Sequence, residues 1–182
     1  ELVCKKAFPS MPIYFWNDAD GSKYHHAYFD KFENIWYHGD YIEINDHGGV
    51  TIYGRSDATL NPGGVRIGTA EIYRVVEQMA EVADSLVVGV QSDGDEQVAL
   101  FLKMNSGNNL NDELIDSIKR SIRANCTPRH VPSIVKTVED IPYTISGKKV
   151  ELAVKNVLHG EEVTNKDALA NPEALEYFKD IL

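Results

Sequence analysis

Residues 69–104, TAEIYRVVEQMAEVADSLVVGVQSDGDEQVALFLKM, carry two hydrophobic periods in succession. Ile72, Val75, Val76 and Met79 fall at i, i+3, i+4 and i+7, the spacing of one apolar helix face. Thr69 stands where an N-cap would, and Glu71 follows in the first turn, near the positive end of the helix dipole. Then Ser85 to Gln91 and Gln97 to Lys103 form two short apolar runs that read as strands, joined by a polar, glycine-containing connection.

Downstream, Asn111 predicts the cap of a helix with Leu114, Ile115, Ile118 and Ile122 inward, and Ile134 to Val138 predicts a third strand. Lys149 to His159 predicts a helix with Val150, Val154, Val157 and Leu158 inward and Gly160 at its C-terminus. Asn171-Pro172 opens a last short helix with Leu175 and Phe178 on one side. Residues 58–182 thus predict an α+β fold, a small sandwich in the order α-β-β-α-β-α.

Upstream the texture differs. Residues 1–57 read as β without a helix: Leu2 to Cys4, Ile13 to Trp16 and Ile35 to Tyr37 are short apolar runs, and Asn17 to Lys23 is a polar loop. Tyr41 to Asn45 and Val50 to Tyr53 alternate around Asp46-His47-Gly48-Gly49, the pattern of an antiparallel hairpin. This β set is too small to close a domain by itself. Leu2 to Cys4 reads as a strand already under way, so the chain is expected to be a piece of a larger protein, with the division at Arg55-Ser56-Asp57.

The 182 residues are 43% hydrophobic and 25% charged, the balance of a globular protein. Eighteen Lys and Arg against 28 Asp and Glu leave a net charge of −10, which speaks against nucleic acid and anionic membranes as partners. No apolar run reaches the ~20 residues of a membrane span. Cys4 and Cys126 have no CxxC spacing and read as reduced thiols packed as small hydrophobes. The six histidines show no ligand spacing beyond His25-His26, so no metal site is expected.

Four constellations could carry chemistry: His38-Gly39-Asp40; Gly54-Arg55-Ser56-Asp57; Gly63-Gly64-Val65-Arg66 running on to Ile72; and Pro142 to Lys148 with Ser146-Gly147-Lys148. Asp40 can accept two hydrogen bonds from a cis-diol, or be a turn aspartate. Arg55 has a planar, permanently charged fork suited to phosphate or ribose oxygens, or for pairing with Asp57. Gly63-Gly64 lets backbone approach a ligand closely, or makes an ordinary tight turn. Lys148 follows a glycine in a loop before a helix, where its ammonium can reach out; the plainer reading is a surface lysine, with Lys149 beside it as the control.

In this order and spacing, the four stretches resemble the C-terminal third of the adenylate-forming enzymes, which include acyl-CoA synthetases, luciferases and peptide-synthetase adenylation domains. Gly68-Thr69-Ala70-Glu71-Ile72 is similar to the acetyl-CoA synthetase side, and Ser146 to Glu151 with Asn171 to Leu175 is similar to the branch that activates acetoacetate. The resemblance implies a ligase that joins a carboxylate to ATP, releases pyrophosphate, and passes the acyl group from AMP to coenzyme A. It implies residues 1–57 as the end of a large N-terminal domain, otherwise missing here, and 58–182 as a lid that rotates between the two steps.

By that resemblance Asp40 binds the ribose hydroxyls, Arg55 and Arg66 the nucleotide, and Asp57 is the hinge. Gly63 and Gly64 line the pantetheine tunnel, Arg123 lies near the 3′-phosphate of coenzyme A, and Lys148 is the adenylation lysine. ATP, Mg2+ and coenzyme A are the implied cofactors, acetoacetate the implied substrate, and the cytoplasm the implied compartment. Acetate or propionate as substrate, or a non-catalytic module that keeps the fold, are the alternatives. His38 stands where relatives usually have Thr, and Tyr143 and Ile145 where they often have Lys or Arg. The Ser/Thr/Gly-rich phosphate loop of the family is not in this chain.

Overall fold

The run Val98 to Leu102 is apolar at every position because both faces of its strand are covered. That strand, β6 (Asp95–Met104), is the middle of a three-stranded sheet. It pairs antiparallel with β5 (Val82–Ser92), Leu86 opposite Phe101, and parallel with β7 (Ile134–Thr137), Phe101 opposite Lys136. Side chains alternate across a strand, so neighbouring residues enter different cores.

Val98, Leu100 and Leu102 face one side and meet Val87, Ile72 and Val76 of α2 (Thr69–Val76), and Ile118 and Ile122 of α3 (Asp112–Asn125). Ala99 and Phe101 face the other, with Leu86 and Val88, against Val154 of α4 (Glu151–Leu158) and Leu175 and Phe178 of a 3-10 helix at Pro172–Phe178. Phe101 and Phe178 meet edge to face, centroids 5.0 Å apart. The result is a sheet between two helical layers, a mixed α+β fold in the predicted order.

In this computed structural model, which describes residues 1–92, 94–163 and 165–182, the chain divides into two compact units, Glu1–Asp57 and Ala58–Leu182. The first holds β1 (Val3–Cys4) antiparallel to β2 (Trp36–Tyr37), and a hairpin of β3 (Asp40–Ile44) and β4 (Val50–Arg55).

Several expectations need correction. The first unit contains a helix, α1 (Ser22–Tyr28), where a polar loop and no helix were expected. The polar residues of that stretch start the helix: Asp18 accepts from the amides of Lys23 and Tyr24, and Asp20 from that of Ser22. Tyr24 and Tyr28 of α1 then pack around Trp36, with the Tyr28 and Trp36 rings stacked. Residues 13–16 form no strand, and Ile13 and Trp16 are exposed.

In the second unit the cap of α2 is Gly68, not Thr69, and the Glu71 carboxylate accepts the Gly68 amide at 3.1 Å. Strands β5 and β6 run further than their apolar cores, because ladder bonds continue through polar residues to the turn. The helix expected from Lys149 begins two residues later, at Glu151. Asn111 caps α3 as expected, its side-chain oxygen accepting from the Leu114 amide at 2.9 Å.

Candidate functional site

Lys148 sits on a tight hairpin between the bridge partners Tyr143 and Lys149. Thr144 organises it: the Thr144 amide donates to the Lys148 carbonyl at 2.8 Å, and the Lys148 amide donates to Thr144 Oγ1 at 3.0 Å. The Gly147 amide closes the turn onto the Thr144 carbonyl. Residues 145–148 are exposed, and the Lys148 ammonium makes no hydrogen bond or ion pair among the described residues.

Lys149 has the opposite character. Its side chain is 16% exposed and its ammonium donates to Glu77 Oε1 at 2.6 Å, Asp84 Oδ1 at 2.5 Å and the Ser85 carbonyl. It also lies over the Tyr73 ring, 4.5 Å from the centroid. The reading of Lys149 as an ordinary surface lysine is therefore corrected. Lys149 precedes α4, so its side chain is free to turn inward onto the start of β5, whereas the turn at Gly147 leaves Lys148 outward.

The second loop, from Asn61 to Arg66, contains a 3-10 turn at Pro62–Gly64. Two carboxylates at the β5–β6 hairpin hold it: Glu96 Oε1 accepts the Asn61 amide at 2.6 Å, and Asp95 Oδ1 accepts the Gly63 amide at 2.9 Å. The Gly63 and Glu96 amides hold the Asp95 carboxyl below the usual carboxylate range. Lys155 of α4 pairs with Glu96 at 3.2 Å. Glu96 lies across Gly89, where any Cβ would strike the carboxylate.

Gly64 has φ +77°, yet a Cβ there would meet nothing within 4 Å. The backbone conformation favours glycine at this place, while packing within the chain does not demand it. Residues 63–66 are exposed; the Arg129 guanidinium lies against Gly63 where a Cβ would stand, so the bare backbone of the loop is at Gly64, beside the Arg66 side chain.

The two loops occupy opposite ends of one ladder. The Lys148 hairpin is tied to Asp84 at the start of β5, and the Gly64 loop to Glu96 where it crosses Gly89. Asp84 to Gly89 is about 16 Å of strand at ~3.3 Å per residue. The two loops are thus anchored at different points along β5.

In the first unit Asp40 and Arg55 are register partners across β3 and β4. His38 Nδ1 and Asp40 Oδ2 meet at 2.6 Å, so the residue that departs from the usual pattern occupies one carboxylate oxygen. Arg55 Nη1 lies 3.9 Å from Asp40 Oδ1 and donates to the His38 carbonyl at 3.1 Å. Its Nε and Nη2 donate to both oxygens of Asp57, at 3.3 and 3.0 Å, and this bidentate grip raises the guanidinium pKa further. Asp40, Arg55 and Asp57 are thus brought together, and the pairing of Arg55 with Asp57 weighed from the sequence is present.

Arg123 lies in the last turn of α3, exposed, and lines a shallow depression with Lys119 and Arg120. Cys4 and Cys126 are free thiols; burial, its largest cause, raises the Cys126 pKa. No helix of the described residues is long and apolar enough to cross a membrane. Sequence reasoning passed over Asp84, Glu96 and the inward role of Lys149, because each acts through a partner 35 to 65 residues away. A second lysine directly after the exposed one was the available signal.

Comparison with known proteins now bears on these loops. Residues 71–148 match the model of the AMP-binding enzyme C-terminal domain. The chain is 60% identical to acetoacetyl-coenzyme A synthetase of Rhizobium meliloti over 98% of its length, and 53% identical to acetoacetyl-CoA synthetase of Danio rerio over 100%. It spans 27% of the length of each of these relatives. Among solved structures, acetoacetyl-CoA synthetase from Streptomyces lividans superposes on 98% of the chain with a TM-score of 0.90 and 43% identity, the chain covering 27% of it. A benzoate CoA ligase from Burkholderia xenovorans LB400 shares the fold over 81% of the chain and 28% of its own, at a TM-score of 0.64 and 22% identity.

Proposed function

We propose that this chain belongs to the adenylate-forming enzymes, whose C-terminal domain model matches residues 71–148, and that the protein carrying it is an ATP-dependent ligase joining acetoacetate to coenzyme A. The likeness to acetoacetyl-CoA synthetases along the chain carries the proposal. In the first half-reaction a carboxylate oxygen attacks the α-phosphorus of ATP, pyrophosphate leaves, and an acyl-adenylate forms. In the second the thiolate of coenzyme A attacks the acyl carbonyl and AMP leaves.

Lys148 serves the first step. Negative charge builds between the carboxylate and the α-phosphate, and an ammonium placed there lowers the barrier without reorganising. An exposed lysine with no partner of its own among the described residues suits that task. Gly63 and Gly64 serve the second step by giving the pantetheine arm a path along bare backbone. The loops are anchored about 16 Å apart along β5, and on this reading the domain rotates between steps to present each in turn, with Asp57 as the hinge.

Asp40 receives the ribose hydroxyls through the oxygen that His38 leaves available, Arg55 and Arg66 contact the nucleotide, and Arg123 the 3′-phosphate of coenzyme A. Mg2+ would enter as the companion of ATP; among the described residues no group of three or more His, Cys, Asp or Glu side chains is placed to hold it. The large upstream domain supplies the acyl pocket, and the protein works in the cytoplasm on small molecules of lipid metabolism.

Pyrophosphate release by the full-length protein, measured with acetoacetate, acetate and propionate, tests the reading. Acetoacetate should give the highest kcat/KM; a preference for acetate or propionate would move the protein to another short-chain ligase.

A further inference from the structure

The two residues that bracket the Lys148 hairpin converge on one carboxylate. Tyr143 donates its hydroxyl to Asp84 Oδ2 at 2.7 Å, and Lys149 donates to Asp84 Oδ1 at 2.5 Å. Both stems of the hairpin are thereby pinned to the start of β5. Lys149 has further acceptors in Glu77 and the Ser85 carbonyl, and Ser85 also donates to Glu77. The Tyr143 amide is held separately by Asn171 Oδ1 at 2.8 Å.

We propose that Lys149, gripped by Asp84, is a positioning residue for the first half-reaction: it fixes the hairpin that presents Lys148. This rests on the reading of Lys148 given above. A partly buried ion pair such as Lys149–Asp84 adds little stability over a well-packed apolar pair, so its use lies in geometry. Three acceptors around one ammonium leave it a single site, and the adjoining Lys148 backbone is locked to Thr144 from both its amide and its carbonyl. A shift of the Lys149 stem therefore moves the whole hairpin. The other loop is held by Asp95, Glu96 and Lys155, none of which contributes to the Asp84 grip.

Lys149→Met and Tyr143→Phe in the full-length protein test this. The first half-reaction is read by ATP–pyrophosphate exchange with acetoacetate, the second by thioester formation from supplied acetoacetyl-adenylate and coenzyme A. Lys149→Met should lower the exchange kcat by about 10- to 100-fold, the scale of a misplacement near 1 Å. The KM for ATP and the second half-reaction should not move. Tyr143→Phe, which removes one hydroxyl and keeps the ring, should show a smaller loss confined to the same half. Equal losses in both half-reactions, or no loss in either, overturns the proposal; if Lys149→Met does not fold, Tyr143→Phe decides by the same split. Lys148→Ala is run in parallel. If it leaves exchange intact, the functional reading falls and the inference with it; if it abolishes exchange while Lys149→Met does not lower it, only the positioning role falls.

Discussion

The hairpin at Lys148 and the loop at Gly64 belong to one domain and solve opposite problems. The hairpin extends a cation, and its stems are tied to Asp84. The loop presents backbone without a side chain at Gly64, and its amides are tied to Asp95 and Glu96. Each exposed feature is held by charged groups that the other does not use. On the proposed reading, in which the domain serves two reactions in turn, one loop can therefore be tuned without disturbing the other.

The largest effect expected is outright: the 182-residue chain alone should release no pyrophosphate from ATP with acetoacetate, because both loops then lack the surface on which they act. Robust turnover by the isolated chain would mean that these loops are not parts of a lid.

Gly64→Leu should strike the second half-reaction, by on the order of 10²-fold, and spare pyrophosphate exchange. The fold should tolerate it, since a Cβ at Gly64 meets nothing within 4 Å and the positive φ costs about 1–2 kcal/mol. A loss in exchange instead would reverse the roles of the two loops.

Glu96→Gln should do less. It keeps an acceptor for the Asn61 amide and removes the charge that Lys155 faces, so thioester formation should fall by about tenfold or less, on the scale of one weakened charge-assisted bond, with exchange unchanged. An acid titration gives a gentler probe of the same loop. The folded-state pKa of Asp95 is depressed, so its grip on the Gly63 amide is present at neutral pH and lost only as pH falls below the usual carboxylate range. The protection of the Gly63 amide from exchange, relative to its intrinsic rate at each pH, should fall there and not before.

The smallest effect concerns the scaffold under both loops. Asn111→Ala removes the α3 cap and should cost about 1 kcal/mol in a denaturation midpoint, with both half-reactions slowed only as folded protein is lost.

Much of this scaffold is legible in the sequence. Gln97 to Lys103 announces a strand, and Asn111 announces its cap, because each signal is local. The change of texture at Arg55 to Asp57 lies where the chain divides into its two units. What escapes the sequence depends on distant partners. The helix at Ser22–Tyr28 hides in polar residues whose carboxylates cap it, and its rings pack on Trp36 from beyond the helix.

The candidate site divides in the same way. The exposed members, Gly63, Gly64, Arg66 and Lys148, are legible by resemblance, since their surroundings ask little of them. Asp84 and Glu96 are single acidic residues among 28, and only the folded ladder reveals what they hold. Lys149 differs from Lys148 by one position and by nothing in its chemistry; the turn at Gly147 and the socket at Asp84 separate them.

The most direct test of the central claim, that each loop serves one half-reaction, is the paired assay on Lys148→Ala in the full-length protein. Pyrophosphate exchange should fall by 10²- to 10³-fold or more, roughly 3–4 kcal/mol at the transition state, while thioester formation from supplied acetoacetyl-adenylate continues at the rate of the unaltered enzyme. Equal slowing of both halves, or of neither, would contradict it.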